Sequence, residues 1–553
     1  MTATTSKGRE WWRSATGYQI YPRSFHDSDG DGIGDIPGIV SKLDYLAELG
    51  IGFVWLSPVY RSPMADNGYD ISDYEAIAPE FGSLEDFDTL VAEARRRDIG
   101  IVMDLVVNHT SDEHPWFENA RSSPESDFRD FYVWRDPAPE GGPPDATESF
   151  FGGPAWTLDE GTGQYYLHLF DPKQPDLNWE NPAMRSHIWR MMRGWLDRGI
   201  AGFRMDVIDL IGKDIDRGIT TDGPRLHEYL REMHRETLAG RDVVTVGETW
   251  SVTPETALLY CAREREELSM VFQFETVTIG WDEVHGKWRP KAFDLVALKR
   301  VWNRWQRVFA EDGWNSLFWS NHDLPRALST YGDEGEHRVR SAKLLATALH
   351  LMKGTPYVYQ GEELGMGNAR FTDIGQYRDV ETLNHHALQI GAGTEPDAFL
   401  DAAARTGRDN ARTPMQWSDA PHGGFTDGTP WIEVNADFAR VNAAAALADP
   451  DSVFAHYRTL IALRKAHPVI VEGDYTPFAE EHPSVLAYTR RLGDTRLAVL
   501  ANFGGERTLF EVPAGLAIDG DSLVANVAPR TSVRGTVTLE PWEAFAVLAS
   551  GPA

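Results

Sequence analysis

Short apolar segments alternate with longer amphipathic segments along most of the chain. Eight segments have the pattern of a strand, at residues 17–25, 52–58, 100–109, 202–206, 243–248, 271–275, 316–323 and 354–363. Several are apolar at successive positions, which is typical of strands buried on both faces of a sheet. Eight strands separated by helical segments predict an α/β fold, and specifically a (β/α)8 barrel.

The segments between the strands have the spacing and the terminal residues of helices. Apolar residues recur at helical intervals from Ile39 to Leu49, and the pattern ends at Gly50. A second series, from Leu84 to Ala94, follows Ser83 with Asp86 three positions later, as in a capping box. The alternative fold, a doubly wound sheet, requires a glycine-rich dinucleotide turn after the first strand, and the sequence has none there.

Two long stretches interrupt this alternation, and the pattern changes near the carboxyl end. Residues 110–178, rich in Pro, Gly, Asp and aromatic residues, predict a subdomain inserted after strand three, where barrels form their active sites. Residues from about 366 to 435 form a second insertion. Short alternating runs from 478 predict an antiparallel β-sandwich. The predicted division is 1–109 and 179–477 for the barrel, 110–178 for the inserted domain and 478–553 for the β domain.

The composition narrows the classes of function. Lys plus Arg number 53 and Asp plus Glu 84, a formal net charge of −31, so nucleic acid and anionic membranes are not expected partners. Cys261 is the single cysteine, which excludes an intrachain disulfide. The first residues lack the apolar core of a secretory signal, and no apolar run could span a bilayer. We expect a cytoplasmic protein, a monomer or weak homo-oligomer, with Cys261 buried.

Carboxylate side chains recur at the carboxyl ends of the predicted strands. Strand three ends in DLVVNH, strand four in GFRMDV, strand five in VGETW and strand seven in NHD. Asp206, Glu248 and Asp323 would therefore converge, and their mutual repulsion would separate their pKa values. One ionised and one protonated carboxyl group are what cleavage of a glycosidic bond requires. Considered alone, each of these carboxylates could instead be a structural helix cap or an ion-pair partner.

The motifs GYQIYPRSF, DLVVNHTSDEH, GFRMDV, GETW, NHD and RDNARTPMQW resemble the α-amylase superfamily of glycoside hydrolases. All signature regions are present and in order, from about Trp11 to the last strands, and the chain is most similar to the oligo-1,6-glucosidase and α-glucosidase branch. The resemblance implies a retaining, exo-acting α-glucosidase that hydrolyses the non-reducing terminal glucose of short α-glucosides. Its substrates would be disaccharides or small oligosaccharides, and a glucosyl-aspartate would be the covalent intermediate.

The resemblance assigns catalytic roles to the residues at matching positions. Asp206 would be the nucleophile and Glu248 the acid/base. Asp323 would be the third carboxylate, which holds sugar hydroxyls and favours the oxocarbenium-like transition state. Arg204 lies two positions before Asp206, so both point to the same side of a strand, and its charge would keep Asp206 ionised.

Further positions that match the family imply a pocket for the terminal glucose. His109 and His322 would donate hydrogen bonds to glucose hydroxyls, unless they are core histidines with internal partners. Tyr69 would be a platform for the sugar ring, because C–H faces of sugars pack well on aromatic rings. Asp66 would pair with Arg408, close the pocket behind the terminal glucose and so give exo action. The residues implied at the mouth of the pocket are Phe151, Phe170 and Gln174.

The loop after the first strand reads DSDGDGIGD from residue 27, with carboxylates at alternate positions. Hard oxygen ligands at this spacing suit Ca²⁺. The family has a metal loop of the same spacing, which implies as ligands Asp27, Asp29, Asp31, Asp35 and the backbone carbonyl of Ile33. Gly38 stands where an EF-hand has its final Glu. We expect structural Ca²⁺, with Mg²⁺ or a solvated acidic turn as alternatives, and no organic cofactor.

Val207 follows the nucleophile position. In this branch a valine there accompanies a preference for α-1,6 linkages, whereas Ala, Gly or Thr accompanies α-1,4, so isomaltose-type substrates are implied. A transglucosylase, sucrose isomerase or trehalose synthase would share the same covalent intermediate, and the sequence leaves these open. The retained carboxylates oppose a catalytically inactive, transporter-associated relative. The pair of Asp66 and Arg408 opposes an endo-acting amylase.

Overall fold

The computed structural model describes residues 10–550. Through the end of the barrel its strands are β1 (Gly17–Ile20), β2 (Phe53–Leu56), β3 (Tyr60–Arg61), β4 (Asp73–Ile77), β5 (Gly100–Leu105), β6 (Trp134–Arg135), β7 (Trp156–Asp159), β8 (Gln164–Leu167), β9 (Gly202–Met205), β10 (Val244–Glu248), β11 (Met270–Phe272), β12 (Ser316–Leu317) and β13 (Thr355–Tyr359).

A sheet of eight parallel strands forms the barrel in the described chain, in the order β11, β10, β9, β5, β2, β1, β13, β12. A parallel bridge from Val271 to Asn315, which directly precedes β12, closes the circle. The predicted (β/α)8 fold is confirmed, and each strand is shorter than its predicted segment. Seven of the eight strands end before their predicted segments do, and β10 ends with its segment at Glu248.

Helices surround the barrel and fill both insertions. Their bounds are α1 (Ile36–Ser41), α2 (Leu43–Leu49), α3 (Leu84–Arg96), α4 (Pro115–Ala120), α5 (Pro182–Asp197), α6 (Leu226–Met233), α7 (Pro254–Cys261), α8 (Glu275–Thr278), α9 (Leu295–Val308), α10 (Ala327–Tyr331), α11 (Arg338–His350), α12 (Val380–Gly391), α13 (Pro396–Thr406), α14 (Asp409–Arg412), α15 (Ala443–Ala448), α16 (Val453–Ala466) and α17 (Pro468–Glu472).

The predicted helix signals are present with one difference. Ser83 and Asp86 form the reciprocal capping box at the start of α3. The predicted helix that ends before Gly50 is divided into α1 and α2 at Lys42, and Gly50 terminates α2 with a φ of 95°. A residue with a side chain would be strained in that conformation. Among residues 10–550 we find no helix long and apolar enough to cross a membrane.

The two insertions lie at the carboxyl ends of the strands. Residues 110–178 contain α4 and a three-stranded sheet in the order β6, β8, β7. A bridge between His109 and Asp176 ties this segment to the end of the third barrel strand. The second insertion contributes α12, α13 and α14. The insertions touch each other, because a Cβ atom at Gly152 would lie 2.6 Å from Leu388.

The carboxyl-terminal region is an all-β unit of strands β14 (Asp474–Phe478), β15 (Val485–Leu492), β16 (Thr495–Asn502), β17 (Thr508–Glu511), β18 (Ile518–Asp519), β19 (Asp521–Ala525), β20 (Ser532–Val533), β21 (Thr536–Leu539) and β22 (Ala544–Ser550). An antiparallel sheet in the order β14, β15, β16, β22, β19 packs against two short strand pairs. Its first strand begins at Asp474, before the predicted boundary at 478.

Cys261, in α7, is buried as expected, and burial raises the pKa of its thiol to about 12.

Candidate active site

Arg204 lies at the centre of a polar cluster at the carboxyl end of the barrel. Its Nη1 donates to Asp104 and to Asp206 at 2.7 Å each, and its Nη2 donates to Glu248 at 2.5 Å. The three acidic residues come from the ends of β5, β9 and β10, which are neighbours in the sheet. We call these four residues the Arg204 cluster. The structure thus brings together the residues at the predicted nucleophile and acid/base positions.

One guanidinium faces three carboxyl groups in the Arg204 cluster. Burial raises the pKa of Asp104 to about 6, although Arg204 opposes this shift. Burial raises the pKa of Asp206 as well, Arg204 lowers it, and the charges of Glu248 and Asp104 raise it further. The predicted effect of Arg204 on Asp206 is present, but burial and the charges of Glu248 and Asp104 outweigh it, so the net shift in the pKa of Asp206 is upward. The titrations of these neighbouring carboxyl groups are coupled.

Asp323 lies in a second cluster, which is built around two guanidiniums. Arg408 and Arg412 each contact the Asp323 carboxylate at 3.0 Å. Arg408 binds Asp379 at 2.5 Å and reaches Asp66 at 3.3 Å. The predicted pairing of Asp66 with Arg408 is present, but Asp379 is the nearer partner. We call these five residues the double-arginine cluster.

The two guanidiniums determine the charge state of this second cluster. Burial opposes ionisation of Asp323, but His322, Arg408 and Arg412 together hold its pKa well below the usual range. The same two arginines overcome burial at Asp379 and lower its pKa. Asp66 differs, because burial outweighs both arginines and raises its pKa to about 7. Asp323 and Asp379 are therefore permanent anions near neutral pH.

Two buried histidines lie beside these clusters as neutral rings. His322 stacks on Tyr69 with ring centroids 5.2 Å apart and 6° between the ring planes. The amide of Gln19 donates to His322 Nδ1 at 2.8 Å, so the neutral ring carries its proton on Nε2, 3.1 Å from Asp323. His109 Nε2 lies 3.1 Å from the Tyr69 carbonyl oxygen. Burial lowers the pKa of His322 to about 3 and of His109 to about 4.

Members of both clusters line one cavity of about 280 Å³. Of the predicted site residues, its walls contain Asp66, Tyr69, His109, Phe151, Phe170, Asp206, Val207, Glu248, Asp323 and Arg408. Arg204, Gln174 and His322 lie behind these walls. The amide of Gln174 donates to Asp66 at 3.1 Å, so its contact is with the wall of the pocket.

Val207 has a backbone conformation that β-branched residues rarely adopt. Its φ is 36° and its ψ is 46°, in the left-handed region. The turn directs the backbone N–H of Val207 to Glu248 Oε2 at 3.1 Å. Strained backbone of this kind persists only where its surroundings hold it, and it often marks functional sites.

Several residues of the site were not assigned from the sequence. Trp55 and Tyr69 both donate to Asp104 at 3.0 Å, which orients this carboxylate towards Arg204. Asp104 is the first residue of the recognised motif DLVVNHTSDEH, so its position gives a usable signal. Asp379 lies in the second insertion outside any recognised motif, and Arg412, although in RDNARTPMQW, could not be distinguished from other structural arginines.

Three further side chains complete the surroundings of the cavity. Trp250 donates from its indole to Glu248 at 3.0 Å and stacks on Phe274 with centroids 3.9 Å apart. Lys287 and Glu381 form an ion pair of 2.5 Å in the cavity wall. A buried lysine outside the wall, Lys213, donates to Asn108 at 2.7 Å and lies 3.1 Å from Asp176, joining the inserted domain to the barrel beside His109.

The acidic loop after β1 gathers part of the predicted ligand set. Carboxylate oxygens of Asp27, Asp29 and Asp35 lie within 4.8 Å of one another. Asp31 is not part of this group, and its carboxylate accepts from the backbone N–H of Ile33 at 2.7 Å. An all-oxygen donor set of this kind suits Ca²⁺ or Mg²⁺. Backbone N–H groups hold Asp27 in place, and so does the hydroxyl of Thr426 at 2.5 Å.

Comparison with known proteins places the chain in a family. The catalytic-domain model of the α-amylase family matches residues 19–473. Palatinase of Erwinia rhapontici is 57% identical over 541 residues, covering 97% of this chain and 98% of that protein. Oligo-1,6-glucosidase of Parageobacillus thermoglucosidasius is 50% identical over 554 residues, covering 97% and 98%.

Solved structures give the same result over almost the whole chain. Trehalose-6-phosphate hydrolase of Bacillus licheniformis has a TM-score of 0.93 at 46% identity, covering 98% of this chain and 100% of that one. Isomaltulose synthase SmuA of Protaminobacter rubrum has a TM-score of 0.94 at 39% identity, covering 98% and 99%. The barrel, the carboxylates at the ends of its strands and the similarity to these relatives show that the chain belongs to the α-amylase family of glycoside hydrolases.

Proposed function

We propose that this protein is a retaining, exo-acting α-glucosidase that releases the non-reducing terminal glucose of short α-1,6-linked glucosides. The observation that carries the proposal is the placement of Asp206 and Glu248 on the two terminal nitrogens of one guanidinium. This arrangement favours the short carboxyl separation of retaining glycosidases, about 5–5.5 Å, over the longer separation of inverting enzymes.

The reaction proceeds in two steps on these side chains. Asp206 attacks the anomeric carbon while Glu248 gives its proton to the glycosidic oxygen, so the aglycone leaves and a glucosyl-aspartate forms. Glu248, now ionised, removes a proton from water, and the water oxygen displaces Asp206 from the anomeric carbon. The two inversions retain the α configuration. Asp323, held as an anion by Arg408 and Arg412, accepts hydrogen bonds from the sugar hydroxyls.

Exo action follows from the chemistry of the double-arginine cluster. Arg408 lies in the cavity wall together with Asp66 and Asp323, and its guanidinium packs 4.9 Å over the ring of Phe151. Charged donors and acceptors beside an aromatic face suit the hydroxyl groups and C–H faces of one terminal sugar. A chain that continued past this wall would displace these ion pairs, so only a chain end fits.

The preference for α-1,6 linkages rests on Val207 and on the relatives. Palatinase and oligo-1,6-glucosidases are among the proteins that match along nearly the whole chain. The side chain of Val207 lies in the cavity wall near Glu248, where the leaving group must pass. We propose isomaltose, isomaltulose and short isomalto-oligosaccharides as substrates.

The test is a time course of products from isomaltose, isomaltulose, maltose, sucrose and trehalose, followed by NMR. We expect rapid release of α-glucose from isomaltose and isomaltulose, with maltose slow and trehalose inert. A 5-fluoroglucosyl fluoride should label Asp206, detected as a glucosyl adduct on its peptide by mass spectrometry. New disaccharides as the main product would instead identify a transglucosylase or isomerase, and initial release of β-glucose would refute the retaining mechanism.

We also propose that the loop of Asp27, Asp29 and Asp35 holds a structural Ca²⁺. The bound ion would neutralise these carboxylates and stabilise the contact of the loop with Thr426, without entering the reaction. We expect Ca²⁺ to raise Tm after chelation, and Asp29→Asn to lose that response while keeping its kcat. Elemental analysis that finds no bound metal, together with a Tm independent of Ca²⁺ and Mg²⁺, would contradict the proposal.

A further inference from the structure

A fourth acidic residue, Asp209, lies in the cavity wall and has no role in the mechanism above. It is in the short turn that follows Val207, and only 1% of its surface is exposed. Its Oδ2 accepts hydrogen bonds from the backbone N–H of Trp250 at 3.1 Å and of Ser251 at 3.4 Å. Its Oδ1 is buried and has no hydrogen-bond partner in the described chain. An orphaned, buried carboxylate oxygen calls for an explanation.

A second carboxyl group lies near Asp209. The hydroxyl of Ser251 lies 3.0 Å from Asp209 and 2.6 Å from Asp222. That hydroxyl has a single hydrogen, and Asp222 is the nearer acceptor. Asp222 is exposed, so the hydroxyl links the buried carboxyl group of Asp209 to the surface.

Asp209 is connected to Glu248 through Trp250. The carboxylate of Asp209 fixes the backbone at Trp250, and the indole of the same residue donates to Glu248 at 3.0 Å. The turn that contains Asp209 begins at Val207, whose backbone N–H donates to the other oxygen of Glu248 at 3.1 Å. Both hydrogen bonds that Glu248 receives beside Arg204 therefore depend on the segment around Asp209.

From this geometry we infer that Asp209 is a positioning residue for Glu248. Its carboxyl group holds the backbone of Trp250 so that the indole of that residue contacts the acid/base. The inference rests on the proposed function, because it takes Glu248 as the acid that protonates the leaving group. Asp209 itself does not touch the reacting atoms.

The protonation of Asp209 is compatible with this role. Burial raises the pKa of Asp209 to about 7, and the charges of Asp222 and Glu248 raise it as well, while Ser251 lowers it. Its Oδ1 has no hydrogen-bond partner in the described chain and can carry the proton, while Oδ2 accepts from the backbone at Trp250 and Ser251. Asp209 can therefore hold this backbone in either protonation state. Tyr260, on α7, donates to Asp222.

The test compares Asp209→Ala with Asp209→Asn on two substrates, isomaltose and α-glucosyl fluoride. The alanine removes the acceptor that holds the Trp250 backbone, whereas the asparagine can keep an acceptor oxygen there. Fluoride leaves without protonation, so a displaced Glu248 slows cleavage of isomaltose and spares glucosyl fluoride. We expect kcat/KM for isomaltose to fall by about tenfold or more in Asp209→Ala and that for glucosyl fluoride by less than about twofold. Asp209→Asn should restore most of the activity on isomaltose.

Asp222→Asn is the matched control, because it removes the other carboxyl group beside Ser251 but no acceptor of the Trp250 backbone. Both activities should stay unchanged in this variant. Equal losses with the two substrates in Asp209→Ala indicate a purely structural role and would overturn the inference. If Asp209→Ala does not fold, Trp250→Phe, which lacks the indole N–H that donates to Glu248, should show the same selective loss, and equal losses there would overturn the inference equally. A wild-type enzyme that releases no glucose from isomaltose would refute the proposed function instead.

Discussion

The two clusters of the active site differ in their ratio of positive to negative groups. The double-arginine cluster sets two guanidiniums against the carboxylates of Asp66, Asp323 and Asp379, whereas the Arg204 cluster sets one against three. A fourth carboxylate, Glu381, lies 3.3 Å from Arg408 but is also paired with Lys287. Except for Asp323, whose side chain is 17% exposed, the members of both clusters are buried in the same cavity wall or directly behind it, so burial alone does not distinguish the clusters. The number of arginines distinguishes the two clusters.

The consequence is a difference in proton content. Asp323 and Asp379 have pKa values below the usual range, because their arginines overcome the effect of burial. Asp104 and Asp206 have raised pKa values, because the single arginine of their cluster does not overcome the effect of burial. One cluster offers fixed charges that can hold hydroxyl groups at any working pH. The other offers protons that can move during a reaction, as acid/base catalysis needs.

The largest expected effect is that of Arg204→Lys on the Arg204 cluster. An ammonium is a point charge that cannot reach three carboxylates in the fork geometry of a guanidinium. We expect kcat to fall by about 10²–10⁴-fold, the range for loss of acid/base function, with KM for isomaltose little changed. Steady-state kinetics on purified protein of unchanged circular dichroism would check this. A rise in KM without a fall in kcat would contradict the assignment of this cluster to catalysis.

Arg408→Lys should weaken substrate binding, whereas Arg204→Lys should slow the chemical step. Truncating one partner of a buried charged hydrogen bond typically costs about 2–5 kcal/mol, because the remaining charges lose their partner. We expect kcat/KM to fall by about 10²–10³-fold, chiefly through KM, and product inhibition by glucose to weaken in parallel. If Arg408→Lys lowers kcat alone and leaves glucose inhibition unchanged, the two clusters do not divide binding from catalysis.

The contrast between the clusters also shows which features a sequence can predict. Asp206, Glu248 and Asp323 were identified because short motifs place each of them at the end of a barrel strand, where the fold dictates convergence. The barrel itself followed from eight buried strand patterns. These features depend on local residue order, which the sequence displays directly.

The charge balance could not be predicted, because it depends on contacts between distant segments. Asp379 reaches Arg408 from another part of the second insertion, and Asp104 reaches Arg204 from a neighbouring strand. Each adds a negative charge to a cluster, and the charge of Asp104 joins burial and Glu248 in opposing the predicted effect of Arg204 on the pKa of Asp206. The division of the first predicted helix at Lys42 is a similar case, since the periodicity is continuous across the break.

Asp66 sharpens the comparison, because it belongs to the double-arginine cluster yet has a pKa of about 7. Below that pH it is neutral and accepts hydrogen bonds from glucose less strongly. Competitive inhibition by glucose should therefore be roughly tenfold stronger at pH 8 than at pH 5.5, as expected for one charged hydrogen bond. Asp66→Asn should remove this pH dependence. Asp323→Asn is the control, since it should weaken inhibition at both pH values and keep their ratio.

The smallest expected effect concerns Val207, at the edge of the Arg204 cluster. Threonine has nearly the same shape, so Val207→Thr keeps the β-branch in its left-handed turn while replacing a methyl by a hydroxyl group. We expect the ratio of kcat/KM for maltose to that for isomaltose to rise about fivefold, the lower end of the 1–3 kcal/mol that one such group contributes. Val207→Ala, which removes both methyl groups, separates the causes. If this ratio rises in both variants, Val207 acts by steric exclusion. If it rises only in Val207→Thr, the hydroxyl group supplies a new hydrogen bond. If it is unchanged in both, Val207 does not select the linkage.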